Sequence, residues 1–500
     1  MVFNSGVFVY FFVAVFILHW IIIRYSKNIR LLNLFLLAAS YFFYGYWDWL
    51  FLGLILISTA VDYSIALFLD REEDARKRKF LLMFSVVINI GILGIFKYYD
   101  FFAKSFVVMV QSISPEAFPD GPGGILLNVI LPVGISFYTF QTMSYTIDVY
   151  RRQIPAEKDV VSFALFVCFF PQLVAGPIER AGDLLSQLKE SRIFKMENLA
   201  KGAWLILLGF YMKVYVADSL GPLVDMVYLP GKSVYENSPG LASGHDGFHV
   251  ILASIAFSFQ IYCDFAGYSN IALGSALFLG IKLTQNFNSP EMSTDPGELW
   301  RRWHITLNRW VTDYIYIPLG GSRLGKFQKH RNLLIAFVLM GLWHGANWTF
   351  LLWGFFHGSW LVLHELTKNK LRLVSENSPL VFKSSIKILK MIGVFTVFGM
   401  TATFFRAYDL NHVIELWKSI FNFPYDGHGL RGVMPAGVYA ASLFKKLVFL
   451  IFLDAMSYIR KDVFWIFKSH TLVRSVIYIY MFLIIVALGV FGREVIYFAF

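Results

Sequence analysis

Long apolar runs with few charged side chains recur from one end of this sequence to the other. A helix that crosses a bilayer needs about 20 consecutive apolar residues. Charged residues make up only 15% of the chain, against roughly 25% in a typical soluble domain. We therefore predict an all-α, polytopic integral membrane protein with roughly 10–13 membrane helices. The candidate spans are 7–23, 31–47, 50–69, 80–96, 124–147, 203–216, 250–279, 333–363, 388–405, 447–456 and 476–490.

No long polar stretch separates these runs, so we expect a single membrane domain over residues 1–500 with short loops. The first run lacks a basic n-region and is followed by further runs, which argues against a cleavable signal peptide. The two cysteines, Cys168 and Cys263, lie in apolar runs and show no metal-ligand spacing. We therefore expect neither a disulfide nor a metal site.

Basic residues cluster after alternate apolar runs, at 24–30, 71–79 and 151–158. These clusters fall on one side of the membrane if each intervening run crosses it once. Lys and Arg accumulate in cytoplasmic loops, so that side should be cytoplasmic and the N-terminus should face outward. The basic loop 301–331 should be cytoplasmic too, provided that no segment between 160 and 290 re-enters the membrane. Basic loops that orient the chain in the membrane then account for the net charge of +11, and nucleic acid is not an expected partner.

A cassette at about 286–364 concentrates Trp, Arg and His, and it contains the helix signal Asp295-Pro296-Gly297-Glu298. Asp295 can accept the free amide of Glu298, and Pro296 fits the first helical position. We predict one amphipathic helix in the membrane interface, with Trp and His on one face and Arg mostly on others. His304 on this helix fits an interfacial anchor as well as a functional site. The stripe would contain Trp300, Trp303, His304, Leu307 and Val311, with Arg301, Arg302, Ile305 and Arg309 outside it.

The second half of the cassette, 333–364, has no Asp, Glu, Lys or Arg over 32 positions, too many for one untilted span of about 20. Gly341 and Gly345 flank Trp343-His344, so we predict a helix break there. The first piece, 333–343, would be about half a span, which would place His344 near mid-membrane. Non-helical backbone survives at that depth only when it is buried in protein or lines a wet cavity. His344 is then either a packing residue bonded to a carbonyl, or a general base whose pKa lies near working pH.

Asp264 and the segment 171–177 are further unusual features of the apolar runs. Asp264 is the one charged residue in the stretch 247–280. An intramembrane carboxylate usually has a partner, and we favour structural pairing with an arginine or a tyrosine over catalysis. The prolines that bound 171–177 predict either a re-entrant loop or a kinked helix end.

A set of motifs along the chain resembles the membrane-bound O-acyltransferase superfamily, in particular its bacterial branch. The WHGANW form and the length of 500 residues are more similar to the polysaccharide O-acetylation members than to the shorter D-alanyl transfer members. Segment 287–290 departs from the acetylation pattern, which tends to have an aromatic residue near its end, so the acceptor stays open. The motifs are LPVGISFYTF (131–140), FPQLVAGPI (170–178), DFAGYS (264–269), FNSP (287–290), WRRWH (300–304), YIYIPLGG (314–321), GLWHGANW (341–348) and IYFAF (496–500).

The resemblance implies helices arranged around a central funnel or tunnel, with re-entrant and interfacial helices and the histidine at the base. It implies an acyl donor from the cytoplasm, acetyl-CoA or another, that serves as substrate, and no bound cofactor. It also implies a place among the lipids of the bacterial cytoplasmic (inner) membrane. Extracytoplasmic acetyltransferase or export proteins would be partners, and a polysaccharide, alginate or a similar exopolysaccharide, would be the final acceptor.

In this interpretation His344 is the general base for acyl transfer to a hydroxyl, and His304 orients the donor or exchanges protons at the cytoplasmic mouth. Arg301 and Arg302 would attract an anionic donor, although membrane topology or lipid headgroups explain these charges equally well. Further candidate contacts to substrate or donor are Trp303, Asn308, Trp343, Asn347 and Asp264.

Three alternatives stay open. One is D-alanyl transfer to teichoic-acid-type polymers, within the same family. Another is a membrane transporter, which explains the spans, the broken helix and Asp264 equally well. It predicts half-repeats, however, and the His-containing segments show no convincing internal repeat. The third, a structural scaffold for an export complex, leaves His344 without a role.

Overall fold

A computed structural model describes residues 1–119, 121–228, 247–368, 379–422, 436–493 and 495–496. Within these ranges every regular element is a helix, which confirms the all-α class. The terminal motif lies outside the described residues from position 497 onward. The α-helices are α1 Gly6–Tyr25, α2 Ile29–Gly45, α3 Leu52–Arg71, α4 Ala75–Leu93, α5 Tyr99–Ile113, α6 Ile135–Tyr150, α7 Val160–Cys168, α8 Phe170–Leu173, α9 Ala181–Leu188, α10 Met196–Phe210, α11 Asp218–Tyr228, α12 Gly247–Phe278, α13 Pro296–Arg302, α14 Ile305–Val311, α15 Lys326–His344, α16 Trp348–Thr367, α17 Leu380–Arg406, α18 Leu410–Asn422, α19 Ala436–Arg460 and α20 Thr471–Leu488.

Seven helical segments of the described chain are long and apolar enough to cross a membrane, which confirms a multi-pass membrane protein. The helix α2 is apolar as well but shorter. The total of 10–13 membrane helices stays a prediction. The seven segments are Gly6–Tyr25, Leu52–Arg71, Ala75–Ile113, Met196–Tyr228, Gly247–Phe278, Leu380–Arg406 and Thr471–Leu488.

Several predicted spans have different bounds in the structure, and two of these differences affect the site. The run 80–96 does not end at Lys97, because α4 continues through the π-helical turn Gly94–Tyr98 into α5. The run 124–147 is α-helical only from Ile135, after Pro132 and Gly134, and its first two residues belong to the short 3-10 helix Gly121–Ile125. Gly134 has a φ of 78°, and a Cβ there would lie 2.7 Å from the carbonyl oxygen of Leu173. The sharp entry into α6 therefore requires glycine.

The core of the described structure is α12, the most buried of the seven spans. It crosses α10 at glycines on both helices, where a Cβ on Gly209 would lie 2.6 Å from the oxygen of Gly267. Small residues at a helix crossing let the two backbones approach closely. Because α10 occupies one side of α12, the other surrounding helices pack on its remaining sides.

Asp264 lies on α12 in a buried charge cluster. Its carboxylate accepts a hydrogen bond from Lys213 at 2.6 Å, and Lys213 also bonds Asp218 at 2.8 Å. The backbone amide of Ile496 donates to the second oxygen of Asp264 at 2.9 Å. The predicted pairing is confirmed, but the predicted partner type, arginine or tyrosine, is wrong. A lysine fits because the π-helical turn Tyr211–Ala217 brings it against α12.

The loops after α6 and α14 meet at one end of the structure. Arg151 donates to the carbonyl oxygen of Asp313 at 3.2 Å, and Arg180 pairs with the Asp313 carboxylate at 3.0 Å. Asp313 in the basic loop 301–331 therefore lies beside Arg151, and the side of the membrane that these residues face stays a prediction.

Candidate active site

The helix break around His344 occurs where the glycines predicted it. Helix α15 ends at His344, Gly345 is extended, and the Asn347 side chain caps α16 by accepting from the amide of Thr349 at 3.1 Å. Helix α15 begins at Lys326, however, and not near 333. The half-span argument that placed His344 near mid-membrane therefore no longer holds, although His344 is buried, with 4% of its surface exposed.

Glycine is required on both sides of Trp343-His344 for packing reasons. A Cβ on Gly341 would collide with the carbonyl group of Phe350, and a Cβ on Gly345 would collide with the Phe350 ring. Since α15 and α16 form an antiparallel pair in close contact, these glycines allow the chain to turn back without moving the histidine away from the interior.

The imidazole of His344 is enclosed by aromatic rings on one side and borders a cavity on the other. Its ring centroid lies 5.1 Å from that of Trp353 and 5.2 Å from that of Phe405. The adjoining cavity measures about 40 Å³, which is enough for a small polar group, since a cavity of roughly 10–15 Å³ already holds one water. Its walls are Lys97, the segment 131–137, Val174, Trp343 and His344. The motifs at 131–140 and 170–178 therefore contribute directly to the surroundings of His344.

The predicted continuous helix through His304 is wrong, because the chain breaks between α13 and α14. Asp295 caps α13 as predicted, by accepting from the amide of Glu298 at 2.8 Å. His304 has a φ of 44°, in the left-handed region. The Asn308 amide group stabilises this break by donating to the carbonyl oxygens of Trp303 at 2.7 Å and His304 at 3.2 Å.

The break turns His304 into the protein interior, so it is not an interfacial residue. Its Nδ1 lies 3.0 Å from the side-chain oxygen of Asn286, which also accepts from the Thr306 hydroxyl at 3.0 Å. The amide oxygen of Asn286 accepts a hydrogen bond, so Nδ1 carries the hydrogen and Nε2 is the acceptor nitrogen. His304 lies outside the seven spans, and burial lowers the pKa of its imidazole to about 3, which keeps the ring neutral at neutral pH.

The structure brings His304 and His344 to the same indole ring. The Trp343 ring centroid lies 5.9 Å from that of His304 and 5.1 Å from that of His344. Phe137 packs against the same indole at 5.4 Å and against His304 at 6.4 Å. The two histidines, forty positions apart in sequence, thus share one aromatic wall, and the segment 131–137 joins them.

The other predicted site residues take different positions. Trp303 is buried against Phe398, with ring centroids 4.7 Å apart, and Asn308 holds the helix break described above. Arg301 is exposed. Arg302 pairs with Glu298 at 2.9 Å and donates to the carbonyl oxygen of Asn288 at 2.9 Å. Of these residues, only Arg301 presents its charge at the surface.

A second, larger cavity of about 440 Å³ lies beyond the helix break. Asn347 contributes to its wall, and the Asn347 amide donates to the carbonyl oxygen of Tyr408 at 3.2 Å. Asp264 lines neither cavity and belongs to the charge cluster with Lys213. Lys97 lines both cavities, so it lies between the larger cavity and His344.

Sequence reasoning missed two contributors to this site. Asn286, which holds His304, precedes the recognised motif at 287–290 and carries no signal of its own. The predicted span 80–96 stops one residue before Lys97. A signal for Lys97 did exist, because further apolar residues follow it at 101–103 and 106–110, so the lysine can interrupt a longer helix and need not end one.

Known proteins are similar to this chain over most of its length. The model of the membrane-bound O-acyltransferase family matches residues 36–405. The probable alginate O-acetylase AlgI of Azotobacter vinelandii is 37% identical over 427 residues, which is 85% of this chain and 78% of the relative. The peptidoglycan O-acetyltransferase of Helicobacter pylori is 33% identical over 460 residues, covering 87% and 81%. The teichoic acid D-alanyltransferase of Streptococcus thermophilus is 29% identical over 333 residues, covering 63% and 77%.

These matches include both histidine breaks and the wall that joins them, since 131–137, His304 and His344 all lie within the family match. They favour an enzyme over the transporter and scaffold alternatives. The chain belongs to the membrane-bound O-acyltransferase family and is an acyltransferase of the membrane.

Proposed function

We propose that this protein takes an acetyl group from a cytoplasmic donor and passes it across the membrane for O-acetylation of an extracytoplasmic polysaccharide. Alginate or a similar exopolysaccharide is the proposed polymer, because alginate O-acetylases are among its relatives over 85% of the chain. The observation that carries the proposal is a buried histidine, His344, at a helix break beside a cavity. The proposed location is the bacterial inner membrane, with extracytoplasmic acetyltransferase or export proteins as partners.

His344 acts as the general base in the proposed reaction. Its neutral imidazole takes the proton of the acceptor hydroxyl while that oxygen attacks the carbonyl carbon of the acyl donor. The bond between the acyl carbon and the donor sulfur then breaks, and the thiolate receives a proton. A thioester and an alcohol thus become an ester and a thiol, with no oxidant or reductant. Enclosure by Trp343, Trp353 and Phe405 keeps competing water out.

His304 positions the donor on the other side of the Trp343 indole. The hydrogen bond from Nδ1 to Asn286 fixes the tautomer and the ring orientation. His304 has a left-handed backbone conformation, and strain of this kind in a non-glycine residue occurs preferentially at functional sites.

The acyl donor is proposed to be anionic, acetyl-CoA or a comparable thioester, and to reach the site from the face of the basic loop. Arg301 is the better candidate to attract it, because its side chain is exposed. Arg302 is engaged by Glu298 and by the carbonyl of Asn288, so its proposed part is to hold α13 in place for the donor.

A second candidate acceptor is peptidoglycan. The peptidoglycan O-acetyltransferase of Helicobacter pylori aligns with this chain over 460 residues, which is a longer stretch than the 427 residues aligned with the alginate relative of Azotobacter vinelandii. Both acceptors present carbohydrate hydroxyls, so the same base chemistry serves either one.

The test is acetyl-ester release from the cell-surface polymers of a deletion strain that carries either the wild-type protein or His344→Gln. We expect the variant to insert normally and to lose nearly all esterification. The matched control is His357→Gln, because His357 is an equally buried histidine that bonds the Thr401 hydroxyl at 2.9 Å and lines neither cavity. Substantial ester formation by well-inserted His344→Gln would contradict the base role. Separate analysis of exopolysaccharide and peptidoglycan would identify the acceptor.

A further inference from the structure

Lys97 projects from the π-helical turn Gly94–Tyr98 onto the end of α15. Its Nζ donates to the carbonyl oxygens of Trp343 at 2.7 Å and His344 at 3.1 Å, and it lies 3.5 Å from the Ser136 hydroxyl. The neighbouring Tyr98 hydroxyl donates to the carbonyl oxygen of Leu342 at 3.1 Å. Two consecutive side chains therefore bind three consecutive carbonyls of the last turn of α15.

These carbonyls need such partners because of where the helix ends. The last four carbonyls of any α-helix lack an intrahelical donor, and α15 ends inside the protein, where His344 is almost completely buried. A buried carbonyl without a hydrogen bond is costly. Lys97 and Tyr98 thus provide what solvent provides at an exposed helix end.

The charge of the lysine suits this position. The C-terminal end of a helix carries partial negative charge and favours a nearby cation. An ammonium group has three donors and no acceptor, and three oxygens surround Nζ. A charged residue within a membrane helix is expensive and marks a functional site by default. The π turn, a form frequently found at functional sites, is the local distortion that carries it.

We propose that Lys97 is a positioning residue for acyl transfer, whose ammonium fixes the last turn of α15 so that the His344 imidazole faces the reacting groups. The inference rests on the proposed base role of His344. Lys97 bonds the backbone carbonyls of Trp343 and His344, so loss of the ammonium changes the orientation of the base without removing the imidazole. A misplacement of about 1 Å can cost roughly 10²-fold in rate.

The test is the kinetics of Lys97→Met in reconstituted protein, with a donor thioester and a soluble acceptor. We expect kcat to fall by about 10²-fold while the KM for the donor stays within threefold of the wild-type value. The matched control is Lys104→Met, an exposed lysine on the same helix, which should behave as wild type. A kcat near the wild-type value, or a raised donor KM with unchanged kcat, would overturn the positioning role.

A cysteine variant covers the possibility that Lys97→Met does not accumulate in the membrane. Lys97→Cys alkylated with 2-bromoethylamine regains an ammonium at the same distance from the backbone, and we expect it to recover most of the lost kcat. Alkylation with iodoacetamide, which adds no charge, should not restore activity. Wild-type protein treated in the same way controls for alkylation of Cys168 and Cys263, which are both buried. Complete aminoethylation without recovery would overturn the inference.

The same assay with His344→Gln separates the two proposals. An active His344→Gln protein would contradict the proposed base role itself. An inactive His344→Gln protein together with an active Lys97→Met protein would refute only the role of Lys97.

Discussion

Removal of the Asp264 carboxylate tests whether this residue stabilises the fold or binds substrate. Asp264 and Lys213 are each about 1% exposed and lie 2.6 Å apart, and Asp218 shares the same ammonium at 2.8 Å. Asp264→Asn keeps the shape of the side chain and an oxygen that can accept from the Ile496 amide. The substitution removes the charge of one of the two carboxylates that bond the Lys213 ammonium.

The structure sets the expected size of the effect. Loss of one partner from a buried ion pair costs about 3–5 kcal/mol in the free energy of unfolding. Asp264→Asn should cost less than about 3 kcal/mol, because Asp218 still neutralises Lys213. Lys213→Met should lie near 5 kcal/mol, since two buried carboxylates then lose the cation that they share. The double variant should be less destabilised than the sum of the two single variants, because the partners are in contact.

The assay is SDS-driven unfolding of the purified protein in mixed micelles, followed by tryptophan fluorescence, together with transfer activity per folded molecule. We expect destabilised variants whose folded fraction keeps the wild-type KM for the donor. Wild-type stability combined with a raised donor KM would refute the structural role and return Asp264 to the donor-binding residues.

Three further predictions concern the site and its surroundings. His304→Ala should lower transfer by less than His344→Ala, whose loss should reach roughly 10²–10⁴-fold; equal and complete loss in both variants would instead indicate a catalytic pair. Arg301→Ala should raise the KM for an anionic donor more than it lowers kcat. Added salt should have the same effect on the wild-type protein, because exposed charges are screened over about 8 Å at physiological ionic strength. An unchanged donor KM would mean that Arg301 serves only membrane topology. Burial raises the pKa of Glu179 from 4.5 to about 7, so the folded state holds a proton that the unfolded chain releases, and stability should fall as pH rises from about 4.5 to about 7. Glu179→Gln should remove this pH dependence of the unfolding midpoint, and an unchanged dependence would contradict the assignment.

Features encoded by neighbouring residues could be predicted from the sequence. The break at Trp343-His344 depends on Gly341 and Gly345, and the cap of α13 depends on Asp295 three residues before Glu298. Apolar length alone located the centres of most spans, and the family motifs marked the segments that enclose the two histidines.

Features that depend on distant partners could not be predicted. The break at His304 is stabilised by Asn308 and by Asn286, which is 18 positions away. Hydrophobic periodicity alone therefore predicts a continuous helix through this position. Each π-helical turn locally changes the direction in which its lysine, Lys97 or Lys213, projects from the helix. The hydrogen-bond partners of these lysines come from other helices.

Asp62 shows the same limit for a polar group within a span. This buried carboxylate accepts hydrogen bonds from Ser85 at 2.5 Å on α4 and from Thr146 at 3.2 Å on α6. The apolar run 50–69 that contains Asp62 gives no indication of these partners, because the residues that stabilise the carboxylate are spread over two other helices.

The bond between the Ile496 amide and Asp264 has a consequence for biogenesis. The two residues are 232 positions apart, so at about 5–20 residues per second the ribosome supplies Ile496 roughly 10–50 s after Asp264. During that interval the central helix can insert and pair with Lys213, but one hydrogen bond to its carboxylate is still missing. Ile496 therefore supplies a late contact to the interior of the protein, and substitutions that displace its amide should delay maturation of the core.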